Sequence, residues 1–152
     1  MLNDNYDISI VGKQYYGSDI DSGEISLNTT GSYTKRGNAR FIAYKEYDDD
    51  DPTVSRTAVL KVEKDCVTMM RGQSATRLIL EKGKRNYCLY DMGFGSLTVG
   101  IFTSVLDSSL NDTGGELSVK YTLDIDSNLS SSNELEVKVK PRMEENTSEG
   151  VY

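Results

Sequence analysis

Residues 117–125 read Leu-Ser-Val-Lys-Tyr-Thr-Leu-Asp-Ile, an unbroken alternation of apolar and polar side chains. A period of two sends Leu117, Val119, Tyr121, Leu123 and Ile125 to one side of an extended backbone. Ser118, Lys120, Thr122 and Asp124 go to the other. The pattern returns at Leu135, Val137 and Val139, with Glu134, Glu136, Lys138 and Lys140 on the opposite face. Both segments therefore predict half-buried strands that pair antiparallel, the apolar row in a core and the polar row in water.

Candidate strands recur along the chain at 6–13, 24–33, 40–47, 57–63, 66–71, 75–81, 86–91, 96–106, 117–126 and 134–140. Turn signals separate them. Lys35-Arg36-Gly37-Asn38, Lys82-Gly83-Lys84-Arg85 and Asp112-Thr113-Gly114-Gly115 each supply the Gly or Asn that a tight reversal needs. No window of helical length carries an i, i+3, i+4, i+7 apolar stripe. This spacing predicts an all-β fold, a single antiparallel β-barrel of about 8–10 strands, mostly an up-and-down meander. Closing it would remove the exposed strand edges. In this reading residues 1–142 form the barrel domain, with Pro141 past its last strand, and the acidic residues 143–152 form a mobile C-terminal tail.

Composition narrows the chemistry. The 152 residues include no histidine, which removes the usual Ser-His-Asp and Cys-His machinery and histidine-ligated zinc. No nucleophile or acid–base pair stands out, so the chain reads as non-enzymatic. The net charge of −7, with scattered basic residues, argues against nucleic acid and anionic membranes as partners. No apolar run approaches the ~20 residues of a membrane-spanning helix. The N-terminal residues lack the basic-then-apolar order of a signal peptide, so cytoplasm is the expected compartment. Cys66 and Cys88 have no zinc-type spacing and are expected to be free thiols on two different strands.

No cofactor or metal is expected. Asp124-Ile125-Asp126-Ser127-Asn128 begins like a calcium loop, but Leu129 stands where that loop needs Gly and Leu135 where it needs Glu. The run at 48–51, four aspartates, reads as a solvated loop.

Glu46 and Arg71 are the candidate site. Each ends an otherwise apolar row, Ile42-x-Tyr44-x-Glu46 on one strand and Val67-x-Met69-x-Arg71 on another. If both rows face the interior, the charges must pair or meet an ionic ligand, since burying one alone costs several kcal/mol. Three readings stay open: a structural ion pair near one mouth, an anchor in which Arg71 offers a two-pronged donor to a carboxylate or phosphate, or one of the two charges simply facing solvent. Tyr44, Tyr121 and either Tyr87 or Tyr90 fall where they could line a cavity with hydroxyl groups, though ordinary sheet filling is the better account of tyrosines at such positions.

These pieces resemble the YwiB-like family of bacterial proteins. Ile8-x-Ile10-x-Gly12, Thr30-Gly31-x-Tyr33, Tyr44-Lys45-Glu46, Met70-Arg71-Gly72, the segment Tyr90-Asp91-Met92-Gly93-Phe94-Gly95, Thr103 and Tyr121-x-Leu123 carry the likeness in order. It spans about residues 6–140, and departs at Met92 and Gly93, where Thr and Pro are expected. The resemblance implies a calycin-like (lipocalin-like) barrel in the cytoplasm and brings no assigned activity. The leading expectation is a barrel that binds a small apolar or anionic ligand through Arg71, Glu46, Tyr44, Tyr90 and Tyr121. Its competitor is a filled barrel serving as a structural or protein-interaction module, a monomer or a homodimer.

Overall fold

The first and last strands of the chain lie side by side. The structure, a computed structural model, describes residues 5–16, 21–47, 50–51, 53–71, 77–91, 95–126 and 128–142, leaving aside the side chains of residues 21, 22, 90, 91 and 129. Residues 143–152, read from the sequence as a tail, lie outside this set. The described residues form ten strands in chain order: β1 (Tyr6–Tyr16), β2 (Asp21–Arg36), β3 (Ala39–Tyr47), β4 (Ser55–Val62), β5 (Cys66–Arg71), β6 (Arg77–Glu81), β7 (Arg85–Asp91), β8 (Ser96–Ser108), β9 (Gly115–Ile125) and β10 (Asn128–Pro141). They form one antiparallel sheet in the order β6-β5-β4-β3-β2-β1-β10-β9-β8-β7. Every neighbour is a sequence neighbour except β1 and β10, which zip the two ends of the chain together from Tyr6↔Pro141 to Tyr15↔Ser132.

The sheet curls into a nearly closed barrel. Its seam falls in the middle of the sequence, between β6 and β7. The turn at Lys82-Gly83 brings the seam together at its lower end, where the Gly83 N–H donates to the Thr103 carbonyl at 2.8 Å. Lys82 and Thr103 form an isolated bridge there. Above that point no ladder joins β6 to β7 among the described residues. The barrel is therefore nearly rather than fully closed, and among the described residues both strands end the ladder there.

Alternation sets the core. Ile8, Ile42, Leu60, Val67, Leu80, Ile101, Leu117, Val119 and Val137 face inward and are withdrawn from water. The alternates Lys120, Glu136, Lys138 and Lys140 are exposed. Leu123 is only partly buried, because it lies toward the upper rim. The β2–β3 connection is the two-residue turn Gly37-Asn38, whose Gly37 takes φ of 60°, a value glycine adopts without strain.

A connection caps the lower end. The Tyr33 hydroxyl donates to the Asn111 carbonyl at 2.6 Å, and Arg40 meets Asp112 at 3.2 Å. The Tyr6 ring stands edge-on to Tyr33 with centroids 5.3 Å apart, and Leu110 packs against the core. Burial raises the Tyr33 phenol above its ordinary pKa, with Arg40 partly opposing. The upper end carries Glu46 and Arg71.

Strand ends depart from the sequence reading in two instructive places. β10 begins at Asn128 rather than at residue 134, because the Ser-rich stretch continues the ladder with β9 and turns polar Ser131 and Asn133 inward. Apolar periodicity cannot register a strand whose inner positions are polar. Pro141 belongs to β10 instead of following it; as the terminal partner of Tyr6 it interrupts nothing.

Candidate functional site

Three strands build the upper rim near the predicted pair. Register places Tyr44 beside Ala58 and Ala58 beside Arg71, while Glu46 stands opposite Arg56 one step higher. Ala58 ends at its β-carbon, so nothing stands between Arg71 and the next row. The Arg71 side chain crosses it and sets Nε 3.2 Å from Glu46 Oε1. Arg56 approaches the same oxygen from the other side at 3.9 Å. Glu46 is largely covered, its side chain 23% exposed, whereas that of Arg71 is 53% exposed. The rim thus holds two guanidinium groups around one carboxylate.

Two tyrosines complete the cluster. Tyr44 is buried below Glu46, and its phenol is pushed up to about 12, first by desolvation and then by the Glu46 carboxylate, with Arg71 opposing. Tyr121, from β9, is raised by burial and likewise feels Arg71. No side-chain hydrogen bond joins either hydroxyl to another described residue. Beside Tyr121 in the register stand Thr103 and Asn133. Asn133 Nδ2 donates to Ser131 Oγ at 3.0 Å. Thr103 Oγ1 and, on β7, Asn86 Nδ2 are buried without a partner.

The structure therefore brings Glu46, Arg71, Tyr44 and Tyr121 together. The Tyr90 side chain lies outside the described residues. Tyr87 faces solvent, 66% exposed, away from the cluster. The sequence reading missed Arg56, having started that strand at residue 57. Running the Val62, Leu60, Ala58 alternation back two residues would have put Arg56 on the same face.

Asp124 also departs from expectation. It belongs to an outward row yet is buried, because Arg85 lies across it as an ion pair and stacks over the Phe102 ring. The Asp124 carboxylate is thus held by Arg85. Among the described residues no group of three His, Cys, Asp or Glu side chains could hold a metal ion. Cys66 and Cys88 are free, with thiols raised by burial. On the solvent side of β10, β1 and β2 an open hollow of about 520 Å³ is lined by Asp7, Ser9, Asn28, Thr30, Lys138 and Lys140. It is separate from the Glu46 cluster.

Taken together, the chain is a single ten-stranded antiparallel barrel, plugged below and polar at its upper rim. No helix among the described residues is long and apolar enough to cross a membrane. The chain belongs to the family described as domain of unknown function DUF1934, whose family model matches residues 8–137. Its fold is similar to the crystal structure of the ywiB protein from Bacillus subtilis, with a TM-score of 0.72 and 20% sequence identity over 93% of this chain and 96% of that one. None of the curated proteins compared with it matches the chain.

Proposed function

We propose that the protein is a non-enzymatic, cytoplasmic binding barrel that takes a small anionic ligand, a carboxylate or phosphate, at its upper rim. The observation that carries this reading is the sharing of Glu46 by Arg71 and Arg56. Two cations around one anion leave a local positive charge on a chain whose net charge is −7. A half-exposed Arg71 can turn part of its planar donor fork to a ligand without leaving Glu46. Tyr44 stays protonated throughout the physiological range and, with Tyr121, offers an unused hydroxyl. Two free thiols support the cytoplasmic setting. The competing reading, an interaction module, draws on the dense lower core and on apolar side chains exposed along β7.

Amide NMR titration with acetate, octanoate, citrate and inorganic phosphate tests the proposal. Shifts should concentrate at Tyr44, Glu46, Arg56, Arg71 and Tyr121 for at least one of these anions. Arg71→Met should abolish them while barely changing the stability of the free protein. Silence at millimolar concentrations of all four, or an unchanged response in the Arg71 variant, rejects the anion site.

A further inference from the structure

The outer wall farthest from the seam carries the open hollow of about 520 Å³ over β10, β1 and β2. Register arranges its polar side chains in two rows of three. Lys140, Asp7 and Thr30 face one another in the first row, Lys138, Ser9 and Asn28 in the second. All six alternate with inward residues such as Ile8, Val137 and Val139, so they point outward. The short side chains of Asp7 and Ser9 form the floor on β1, and the long lysines stand along one side. Asp7 lies directly opposite Lys140, where a cross-strand ion pair ordinarily forms. No such pair is made, and none of the six side chains has a hydrogen-bonded or ionic partner among the described residues. Two lysines against one aspartate leave the hollow positive, on a chain whose net charge is −7.

We infer that this hollow binds a phosphorylated polyol, a small sugar phosphate, with its phosphate on the lysines and its hydroxyl-bearing body across β1 and β2. The spacing carries this. Residues two apart on one face of a strand are separated by about 6.5 Å. The ammonium groups of Lys138 and Lys140 can therefore take oxygens on both flanks of one phosphate. From β10 to β2 is two strand spacings, about 9–10 Å, room for a body the size of a monosaccharide. There the ligand meets a carboxylate that accepts, and an amide and two hydroxyls that both donate and accept, the set that matches hydroxyl groups. An apolar ligand would find nothing to cover, since Ile8, the apolar residue of the lining, is buried in the core. A bare oxyanion would face Asp7 across the floor and be repelled by it. A ligand hydroxyl donating to Asp7 turns that carboxylate from a penalty into a contact, so the floor selects the polyol over the free anion.

Amide NMR titration of the full chain with inorganic phosphate, glucose 6-phosphate and glucose, at fixed ionic strength, tests the assignment. Glucose 6-phosphate should shift Asp7, Ser9, Asn28, Thr30, Lys138 and Lys140, and bind about tenfold or more tightly than phosphate through its added hydrogen bonds. Glucose, lacking the phosphate, should leave these amides unmoved at the same concentrations. Lys138→Gln combined with Lys140→Gln should abolish the response to both phosphates, with the β-type circular dichroism spectrum retained. Asp7→Asn separates a site from a merely cationic surface: it should hold or strengthen phosphate binding while cutting the preference for glucose 6-phosphate. Silence of the hollow toward all three probes overturns the inference, whether or not the rim around Glu46 responds. Equal affinity for phosphate and glucose 6-phosphate, or an Asp7 variant that keeps the full preference, overturns it equally.

Discussion

Arg85 and Asp124, on β7 and β9 with β8 between them, form an ion pair across Gly100. Arg71 reaches Glu46 across Ala58 in the same way, two strands over and one step along. A small residue on the intervening strand makes room in both, Gly100 beside Asp124 and Ala58 beside Arg71. The difference is the face. One pair is on the outer wall and the other at the rim of the interior.

The outer pair depends on the missing side chain of Gly100. A β-carbon built there would run into the Asp124 carboxylate. Gly100→Ala should therefore push Asp124 aside, loosen its hold on Arg85 and cost about 1–3 kcal/mol in urea unfolding. Gly12→Ala is the control: nothing stands within 4 Å of its new β-carbon. With strand backbone to stiffen and no clash, it should be neutral or gain up to ~1 kcal/mol.

The rim pair should be worth less than its inward parity implied. Arg71 is half in water, so screening limits the attraction, and a double-mutant cycle of Arg71→Met with Glu46→Gln should give a coupling of about 1 kcal/mol, shrinking in high salt. A coupling of 3 kcal/mol or more would mean a pair buried more deeply than its exposure indicates.

Much of this molecule was legible because a half-buried strand writes its environment in every second letter. Leu117, Val119, Val137 and Val139 were read as core and are core. Glu46 and Arg71 were legible as a pair because each breaks an apolar row at its end, and a charge there needs a partner. What escaped is what alternation does not encode. Ser131 and Asn133 are inward but polar, so the upper half of β10 read as a connection. Asp124 is outward but covered, by a residue 39 positions away in the chain. The seam between β6 and β7 escaped because Lys82-Gly83-Lys84 signals a hairpin, and a turn motif cannot say whether its strands stay together above it.

Thr103 offers a sharper test of the interior. Its hydroxyl is fully buried and bonded to nothing among the described residues. Thr103→Val keeps the shape and removes an unsatisfied polar group, so the urea midpoint should hold or rise, by up to ~1 kcal/mol at constant m. Thr103→Ser keeps the hydroxyl and deletes a methyl, and should cost about 1 kcal/mol. A clear loss in the valine variant would instead mean that the hydroxyl is satisfied in solution, by an internal water or a bound molecule.

The Tyr44 phenol links the site to pH. Its pKa in the folded protein is about 12, against 10.0 for the free side chain. Below pH 10 both folded and unfolded chains keep the proton, and stability is unaffected. Above it the unfolded chain releases the proton while the folded one holds it, so the unfolded state gains and stability falls as pH rises toward 12. Two pKa units correspond to about 2–3 kcal/mol across that window. The measurement is a difference: unfolding free energy from pH 9 to 12 for the native chain and for Tyr44→Phe. The phenylalanine variant should lose stability less steeply, the two curves converging below pH 10 to a constant offset. Direct absorbance titration should show one phenol fewer ionising at the high end in that variant. Parallel curves throughout would place the Tyr44 hydroxyl in contact with water rather than beneath Glu46.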